Sequence, residues 1–292
     1  MAAEREAAPR WWRAPAKLNL YLHVVGRRDD GYHLLDSLVA FADIADRVAA
    51  EPSSRLSLAI TGPFAGDLGG DPVTNLVWRA AEALAARLGR SAGAALALEK
   101  NLPVASGIGG GSSDAAATLK ALAARWQAPL DDGALEDIAA KLGADVPVCL
   151  AARSSWLGGV GDRVEPAPAL PPAALVLVNP RIALPTASVF KTRRGPFSSA
   201  ARFTEAPADA RALAALLAER RNDLTDAAVA QVPVIATVLK RLAATDGARI
   251  ARMSGSGATC FALFESAVLA EAAAASLRAA EPDWWVAAGR LA

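Results

Sequence analysis

The chain has 292 residues, of which 53% are hydrophobic, and its 31 basic and 30 acidic side chains leave a net charge of +1. This length allows two cores of ordinary size, and the near-zero charge gives no electrostatic basis for a large nucleic-acid or anionic-membrane footprint. The first residues, MAAEREAAPRWWR, carry no apolar signal-peptide core, and no stretch approaches the roughly 18 uncharged apolar residues of a membrane span. We therefore expect a cytoplasmic protein that binds neither nucleic acid nor membrane.

The two cysteines and two histidines do not suggest a metal centre or a disulfide. Cys149 and Cys260 lie far apart in the sequence, both among apolar residues, and neither belongs to a C-x-x-C pair. Such cysteines are typical of buried thiols in a reducing compartment. With only His23 and His33 besides them, the sequence predicts no zinc site.

The first element in the chain is a strand. In PAKLNLYLHVV (15–25), leucines alternate with the polar residues Lys17 and Asn19. This period of two predicts a strand with one face buried and one face exposed. The stretch at 34–51 is apolar without a clean period, so a helix and a strand both remain open there.

A helix, a strand and a second helix follow, with a cluster of glycines between the last two. NLVWRAAEALAARL (75–88) has helical spacing and stops at a glycine, and AALALEK (94–100) alternates as a strand does. A run rich in alanine and leucine then predicts a helix over 113–126. Four glycines stand within the five residues 107–111, ahead of this helix.

The glycine cluster at 107–111 predicts an anion site at the start of the following helix. We expect Ser112, Ser113 or Asp114 to cap that helix, whose first turn carries unpaired N–H groups and the positive end of the helix dipole. Glycines let a bulky anion approach the main chain, so a phosphate is the expected occupant. The cluster matches neither the P-loop nor the G-x-G-x-x-G pattern. A plain flexible loop before a capped helix is the alternative interpretation.

The rest of the chain mixes helices and strands. The elements predicted are a helix at 130–142, a short buried strand at 143–152, a hairpin at 154–168, a strand at 173–180, a polar loop at 192–209, two or three helices, and a second glycine turn at 254–257 before another strand. EPAPALPP (165–172) holds four prolines, which suits a joint between domains. This mixture predicts an α+β architecture with domains at 1–165 and 166–292.

Three features have the chemistry that phosphoryl transfer needs: Lys17, the glycine loop at 103–113 and Asp145. Taken alone, a strand lysine is usually a solvated charge, and an aspartate after Gly-Ala is usually a turn residue. Together, a carboxylate can accept a proton from a hydroxyl, while a neighbouring lysine keeps it ionised and stabilises charge on the transferred group. Beyond Mg²⁺ and positioning, phosphoryl transfer requires little else from a protein.

Four motifs, PAKLNLYLHVVGRRDDGYH, PVASGIGGGSSDAA, LGADVPV and MSGSGATCFALF, carry a family resemblance. In this order and spacing they resemble the galactokinase, homoserine kinase, mevalonate kinase and phosphomevalonate kinase (GHMP kinase) superfamily, from about Pro15 to Phe264. The resemblance implies a two-domain α+β kinase that uses ATP and Mg²⁺ in an interdomain cleft. PAKLNL with GYH and GADVPV resembles in particular the branch that phosphorylates the 2-hydroxyl of a cytidylyl-capped methylerythritol in non-mevalonate isoprenoid synthesis.

The same resemblance implies roles for the substrate-site residues. Lys17 and Asp145 fall on the catalytic lysine and aspartate, and Asn19 would touch the erythritol hydroxyls. The other substrate contacts fall on Tyr32 and His33, which would hold the cytosine, on Phe190 opposite them, and on Thr186 nearby.

The ATP contacts that the resemblance implies lie in four segments. The phosphates would be wrapped by Pro103, Val104, Ala105, Ser106, Gly107, Ile108, Gly109, Gly110, Gly111, Ser112 and Ser113. The adenine would lie near Asn75, Leu76 and Lys100, and the site would be closed from the second domain by Gly255, Ser256 and Gly257.

Two other functions stay open on the sequence alone. A sibling kinase acting on homoserine or a mevalonate-type alcohol would share the glycine loop and Asp145 but would have no use for a cytosine site. A catalytically inactive nucleotide-binding regulator would not need an intact Lys17 and Asp145. Small-molecule substrate and ATP are the expected partners, and the sequence leaves monomer and homodimer open.

Overall fold

The computed structural model describes residues 9–128 and 131–292. In this part of the chain, strands form two sheets and helices cover them. The strands are β1 (Trp11–Arg27), β2 (His33–Pro52), β3 (Ser57–Thr61), β4 (Ala94–Glu99), β5 (Ser155–Gly158), β6 (Arg163–Pro166), β7 (Ala174–Asn179), β8 (Ile250–Met253), β9 (Cys260–Phe264) and β10 (Trp285–Arg290). The helices are α1 (Leu76–Arg87), α2 (Gly110–Arg125), α3 (Asp132–Leu142), α4 (Val146–Ala151), α5 (Thr186–Thr192), α6 (Ala210–Ala218), α7 (Thr225–Gln231), α8 (Val234–Ala243) and α9 (Ala267–Ala280).

The first sheet is organised around the long strand β2. Its order is β3-β4-β2-β5-β6, and β1 pairs with β2 along nearly its whole length. All of these pairs are antiparallel except β3 with β4, which is parallel. The ambiguous stretch at 34–51 is therefore a strand, because pairing with three neighbours decides the conformation where the local pattern does not.

The second sheet has the order β10-β7-β9-β8, with every pair antiparallel. Helices α1 to α4 cover the first sheet, and α7 to α9 cover the second. A third core lies where the sheets meet, with Leu20 and Leu38 from the first sheet against Leu175 and Phe261 from the second. The two halves of the chain are thus joined by buried apolar side chains.

Strand β1 is buried on both faces, so the predicted exposed face is wrong. Leu18 and Leu20 pack into the core between the sheets, while Lys17 and Asn19 on the other face are only 4% and 3% exposed. The pairing with β2 also contains three register irregularities, which break the strict alternation. The polar face of β1 is therefore turned toward an internal cavity and not toward bulk solvent.

Helix α2 begins earlier than predicted and has no side-chain cap. It starts at Gly110, and its N-cap is Gly109, which has the left-handed backbone conformation with φ of 62°. The Ser113 hydroxyl instead donates to the carbonyl oxygen of Pro15 at 2.6 Å, and Asp114 accepts from the buried Lys100 ammonium. The predicted cap at 112–114 is therefore wrong, and the glycine cluster itself forms the start of the helix.

Residues 146–151 form the short helix α4, where a buried strand was predicted. Pro147 is tolerated in the first helical turn, because the N–H it lacks would have no intrahelical partner there. Val146, Val148 and Cys149 are buried in the first core. As a result Asp145 occupies the N-cap position of α4, with a side chain that makes no capping hydrogen bond.

The other predicted elements are confirmed within a few residues, among them α1, β4, the β5–β6 hairpin, β7, helices α6 to α8 and the turn before β9. The polar segment 193–209 contains no helix or strand. The predicted start of α3 at Leu130 lies outside the described residues. Cys149 and Cys260 are buried free thiols, as predicted. None of the helices in the described ranges combines the length and apolar composition needed to cross a membrane.

Candidate active site

A cavity of about 620 Å³ opens between the two halves of the chain. One wall consists of β1, the loop after β4 and the beginnings of α1 and α4. The opposite wall is formed by residues 184–190 and the turn at 255–256. This volume falls in the range of small-molecule sites.

Lys17 and Asp145 both line this cavity and contact each other there. The Nζ atom of Lys17 lies 3.1 Å from Oδ2 of Asp145. The lysine side chain is 5% exposed, whereas that of the aspartate is 38% exposed. The carboxylate is thus held by the ammonium on one side and open to a ligand on the other.

Asn19 orients Lys17 and is itself fixed by a chain of hydrogen bonds. The lysine Nζ donates to Oδ1 of Asn19 at 2.9 Å, and the Asn19 amide donates to the Ser37 hydroxyl at 2.8 Å. The hydroxyl of Ser37 donates in turn to the main-chain oxygen of Tyr21. Because every member of this chain is buried, the ammonium has a fixed position.

The glycine loop runs over Lys17 with its backbone very close. The main-chain N–H of Lys17 donates to the carbonyl oxygen of Ile108 at 2.9 Å. A Cβ atom at Gly109 would lie 3.1 Å from the Cβ and Cε atoms of Lys17. Glycine adopts the positive φ at this position without strain and has no Cβ atom to press on the lysine. The loop backbone can therefore pack directly against the Lys17 side chain.

A second glycine turn, at 254–257, presses against the first. A Cβ atom at Gly107 would lie 2.6 Å from the carbonyl oxygen of Ser254, so the two backbones touch there. The Ser254 hydroxyl donates to the Gly107 oxygen at 3.0 Å and accepts from the N–H of Asn19 at 3.1 Å. Asn222 holds the turn from behind by donating to the oxygens of Met253 and Gly255. The turn thereby joins both halves of the chain at the cavity.

The adenine-side residues occupy two different environments. Asn75 is the N-cap of α1, where its Oδ1 accepts from the N–H of Val77 at 2.9 Å, and Leu76 follows it on the cavity wall. The Lys100 side chain is 2% exposed and lies beneath the glycine loop, where it pairs with Asp46 and Asp114. Its charged end therefore faces two carboxyl groups.

Of the three aromatic residues expected at the substrate site, Phe190 lines the cavity and His33 packs against it. The rings of His33 and Phe190 stack with centroids 5.4 Å apart and planes 29° apart, and Tyr32 beside them is 64% exposed. Burial lowers the pKa of His33, and the positive charges of Arg27 and Arg193 lower it further. A neutral imidazole offers one N–H donor and one acceptor nitrogen.

Two family models match the chain. The model described as "GHMP kinases N terminal domain" matches residues 75–153, and the one described as "GHMP kinases C terminal" matches residues 203–283. The 4-diphosphocytidyl-2-C-methyl-D-erythritol kinase of Paramagnetospirillum magneticum is 54% identical over 278 residues, which cover 95% of this chain and 97% of the relative. The chain belongs to the 4-diphosphocytidyl-2-C-methyl-D-erythritol kinase family. A relative of the same name from Cereibacter sphaeroides is 55% identical over 284 residues, with 96% and 98% covered.

Solved structures agree with this family membership. A crystal structure of 4-(cytidine 5'-diphospho)-2C-methyl-D-erythritol kinase matches with a TM-score of 0.77 and 36% identity, over 97% of this chain and 99% of that one. A homoserine kinase from Cytophaga hutchinsonii shares the fold, with a TM-score of 0.68 and 17% identity over 100% of this chain and 97% of that one. The predicted GHMP kinase fold and the predicted branch of the superfamily are both confirmed.

The cavity of this kinase-family member brings together most of the site residues expected from the sequence. Those that line it are Lys17, Asn19, Asn75, Leu76, Lys100, Pro103, Val104, Ala105, Ser106, Gly107, Gly109, Gly110, Gly111, Ser112, Asp145, Thr186, Phe190, Gly255 and Ser256. Five do not line it: Tyr32, His33, Ile108, Ser113 and Gly257. Ile108 and Ser113 are buried behind the loop, whereas Tyr32 stands in solvent.

Several residues of the site were not predicted from the sequence. Ser254 and Asn222 fix the two glycine turns, and Asp46 and Asp114 surround Lys100. Leu22 and Leu184 add apolar surface to the cavity. Two local signals were available: Asp114 is a carboxylate directly after the predicted phosphate loop, and Ser254 lies in the predicted second glycine turn. The other residues reach the site from elements distant in the sequence.

Proposed function

We propose that this chain transfers the γ-phosphoryl group of ATP to the 2-hydroxyl of 4-diphosphocytidyl-2-C-methyl-D-erythritol. Use of ATP is a property of the kinase family to which the chain belongs. The observation that carries the proposal is the pair of Lys17 and Asp145, 3.1 Å apart beneath a glycine loop. We further propose that the cavity lies between an N-terminal domain at 1–165 and a C-terminal domain at 166–292.

Asp145 acts as the general base in this proposal. Its partly exposed carboxylate accepts the proton of the substrate 2-hydroxyl, and the oxygen forms a bond to the γ-phosphorus. The bond from that phosphorus to the β–γ bridging oxygen breaks, and ADP leaves. Because Asp145 caps no N–H group of α4, its carboxylate is available for this proton.

Lys17 pairs with the base and stabilises negative charge on the transferred group. Its ammonium has a carboxylate on one side and the Asn19 amide oxygen on the other. Burial strengthens these interactions because little water is present to screen them. The proposed contact of Asn19 with the substrate hydroxyls places the acceptor oxygen next to Asp145.

The nucleotide phosphates are proposed to bind the loop 103–113 at the start of α2. Glycines at 109–111 leave the backbone uncovered there, and the N-terminal end of a 16-residue helix favours negative charge. Among residues 9–128 and 131–292, no group of three or more His, Cys, Asp or Glu side chains could hold a metal. A Mg²⁺ ion at this site would therefore be coordinated mainly by the ATP phosphates and by its own waters, and it would neutralise phosphate charge.

His33, Phe190 and Tyr32 are proposed to bind the cytosine. Phe190 lines the cavity and stacks on His33, so an aromatic base can extend this stack. The neutral His33 ring can donate to one atom of a base edge or accept from another. Thr186, whose hydroxyl lies 2.8 Å from that of Ser256, is a nearby polar contact.

ADP release by the purified chain tests the proposal. We expect release with the cytidylyl substrate, and a kcat/KM at least tenfold lower with uncapped methylerythritol, homoserine or mevalonate. The product should carry a new phosphate on the 2-oxygen, as ³¹P and ¹³C NMR would show. Equal turnover of the capped and uncapped alcohols would contradict the substrate assignment, and no release with any alcohol would contradict the kinase assignment.

A further inference from the structure

Three ionisable side chains are buried together beneath the glycine loop. Asp46 comes from β2, Lys100 directly follows β4, and Asp114 comes from the second turn of α2. The Lys100 ammonium donates to Asp46 and, at 2.8 Å, to Oδ2 of Asp114. None of the three is more than 2% exposed. Burying ionisable groups this completely costs free energy, so we expect the cluster to have a structural or functional role.

The cluster holds both ends of the glycine loop. At the start of the loop, Oδ1 of Asp46 accepts the main-chain N–H groups of Asn101 and Leu102, the latter at 2.8 Å. At its end, the Lys100–Asp114 pair ties α2 to β4. The Lys100 Nζ atom would lie 3.0 Å from a Cβ atom at Gly110, directly under the first helical turn. Both ends of the proposed phosphate loop therefore depend on one ammonium and two carboxyl groups.

Charge balance indicates that one of these carboxyl groups is neutral. Two ionised carboxylates around one ammonium would leave a net negative charge with no contact to water. Oδ1 of Asp114 is buried and has no hydrogen-bond partner among the described residues, whereas Oδ1 of Asp46 accepts two N–H groups. An ionised oxygen without donors is unfavourable, so the neutral group is Asp114 and the ionised one is Asp46.

We propose that Asp46, Lys100 and Asp114 are positioning residues for the nucleotide phosphates, with the Asp114 carboxyl kept neutral under the glycine loop. This inference rests on the proposed function, in which the loop binds the ATP phosphates. Burial raises the pKa of Asp114 to about 8; the Lys100 charge opposes this rise, and Asp46 adds to it. A neutral Asp114 holds the helix start in place without placing a negative charge below the phosphates.

Other ionisable groups face this cluster from the elements around α2. Lys17 on β1 and Asp145 before α4 form their own ion pair. Burial, together with the Asp145 charge, raises the pKa of Cys149 to about 12, so this residue stays a thiol through neutral and mildly alkaline pH. The charged side chains described on α1 and α3 are exposed. Burial also lowers the pKa of Lys120, which lies further along α2. Asp114 is the ionisable group directly beneath the loop, and its isosteric amide variant separates its contribution from that of Lys120.

The test is the affinity for ATP as a function of pH. We expect the dissociation constant of wild-type protein for ATP to rise on the order of tenfold between pH 7 and 9.5, because ionised Asp114 repels the phosphates. The isosteric variant Asp114→Asn cannot ionise and should keep a constant affinity over this range. Asp36→Asn, which changes a buried, ion-paired carboxylate of β2 outside the loop, should follow wild type.

Two further measurements separate this inference from general damage. Adenosine has no phosphates, so its affinity for wild-type protein should be independent of pH. Infrared spectroscopy of ligand-free wild-type protein at pH 7 should show the C=O stretch of one protonated carboxylic acid, which disappears as the pH passes about 8. This second readout needs neither a variant nor ATP.

Each outcome bears on one proposal. A constant ATP affinity for wild-type protein, an Asp114→Asn variant with the wild-type pH dependence, or the absence of the protonated carboxyl band would overturn the inference. A wild-type protein that shows the band but does not bind ATP at any pH would instead overturn the proposed function.

Discussion

The Lys17 ammonium lies 3.1 Å from the Asp145 carboxylate and 2.9 Å from the Asn19 amide oxygen, and its own backbone hydrogen-bonds to the glycine loop. The lysine thus links the proposed base, the substrate contact and the phosphate loop. All of these contacts start from one bulged segment of β1. Conservative substitutions in this segment should therefore lower the activity more than the stability of the fold.

Asp145→Asn should fold normally and bind ATP but lose most of its turnover. The amide cannot accept the hydroxyl proton, and removal of a general base lowers rates on the order of 10² to 10⁴-fold. The loss of stability should be limited, because the isosteric amide oxygen can still accept from the Lys17 ammonium and Asp145 caps no N–H group. Steady-state kinetics measure the turnover, and thermal unfolding measures the stability. The control is Asp137→Asn on the exposed face of α3, which should keep wild-type turnover. If Asp145→Asn kept more than a third of wild-type turnover, the base role would be contradicted.

Gly109→Ala should impair ATP binding through the shape of the loop. Gly109 has φ of 62°, and a Cβ atom there would press on Lys17 at 3.1 Å. Gly89 is a matched control, since its φ is also 62° but a Cβ atom would meet nothing within 4 Å. Both alanine variants should lose about 1–2 kcal/mol of stability from the left-handed backbone.

Calorimetry distinguishes the two glycine variants. Only Gly109→Ala should lose ATP affinity, by about tenfold or more, with binding of the cytidylyl substrate less affected. Equal ATP affinity in Gly109→Ala and Gly89→Ala would contradict the phosphate role of the loop.

The sequence predicts the parts of the site that have local signals. The alternation around Lys17, the glycines at 107–111 and the helix at 75–88 are patterns within a few residues of each other. These patterns, with the family motifs, are sufficient to predict a GHMP kinase fold.

The remaining features depend on tertiary contacts. Lys100 pairs with Asp46 from 54 residues away, which no local pattern indicates. The valines of 146–151 suggest a strand, but packing against α2 makes the segment a helix. His33 and Phe190 stack although they are far apart in the chain, so the contact between these two expected substrate residues was not predictable.

His33 should titrate below the ordinary histidine range. Burial and the charges of Arg27 and Arg193 favour its neutral form, so the unfolded chain takes up the proton at a higher pH than the folded protein does. The linked stability is therefore present above about pH 6.5 and is lost as the pH falls through the folded pKa. NMR of the imidazole, assigned with a His33→Ala variant, measures this titration.

Replacing either nearby cation should move that titration upward. Arg27→Gln and Arg193→Gln each remove a positive charge that opposes protonation of His33, so each should raise its pKa. Arg90→Gln, at a guanidinium that stacks on Trp126 away from the cavity, is the control and should leave the pKa unchanged. An unchanged pKa in both Arg27→Gln and Arg193→Gln would show that burial alone determines it.

The proposed cytosine site predicts effects on KM with kcat nearly unchanged. Stacking of a base on an aromatic side chain is worth roughly 1–3 kcal/mol by alanine substitution. Because the base is remote from the reacting hydroxyl, the stack should contribute equally to ground and transition states. Tyr32→Ala and Phe190→Ala should therefore each raise KM for the cytidylyl substrate about tenfold or more, while KM for ATP stays constant.

Two comparisons make the cytosine prediction specific. Phe197→Ala removes an aromatic ring that is 52% exposed and stands against Arg193, so it should keep the wild-type KM. His33→Ala should also reduce the preference for a cytidylyl over a uridylyl substrate, because a site that hydrogen-bonds a base edge rejects a base that leaves those groups unpaired. Should Tyr32→Ala, Phe190→Ala and His33→Ala all retain the wild-type KM, the base binds elsewhere, and the stacked pair of His33 and Phe190 has only a structural role.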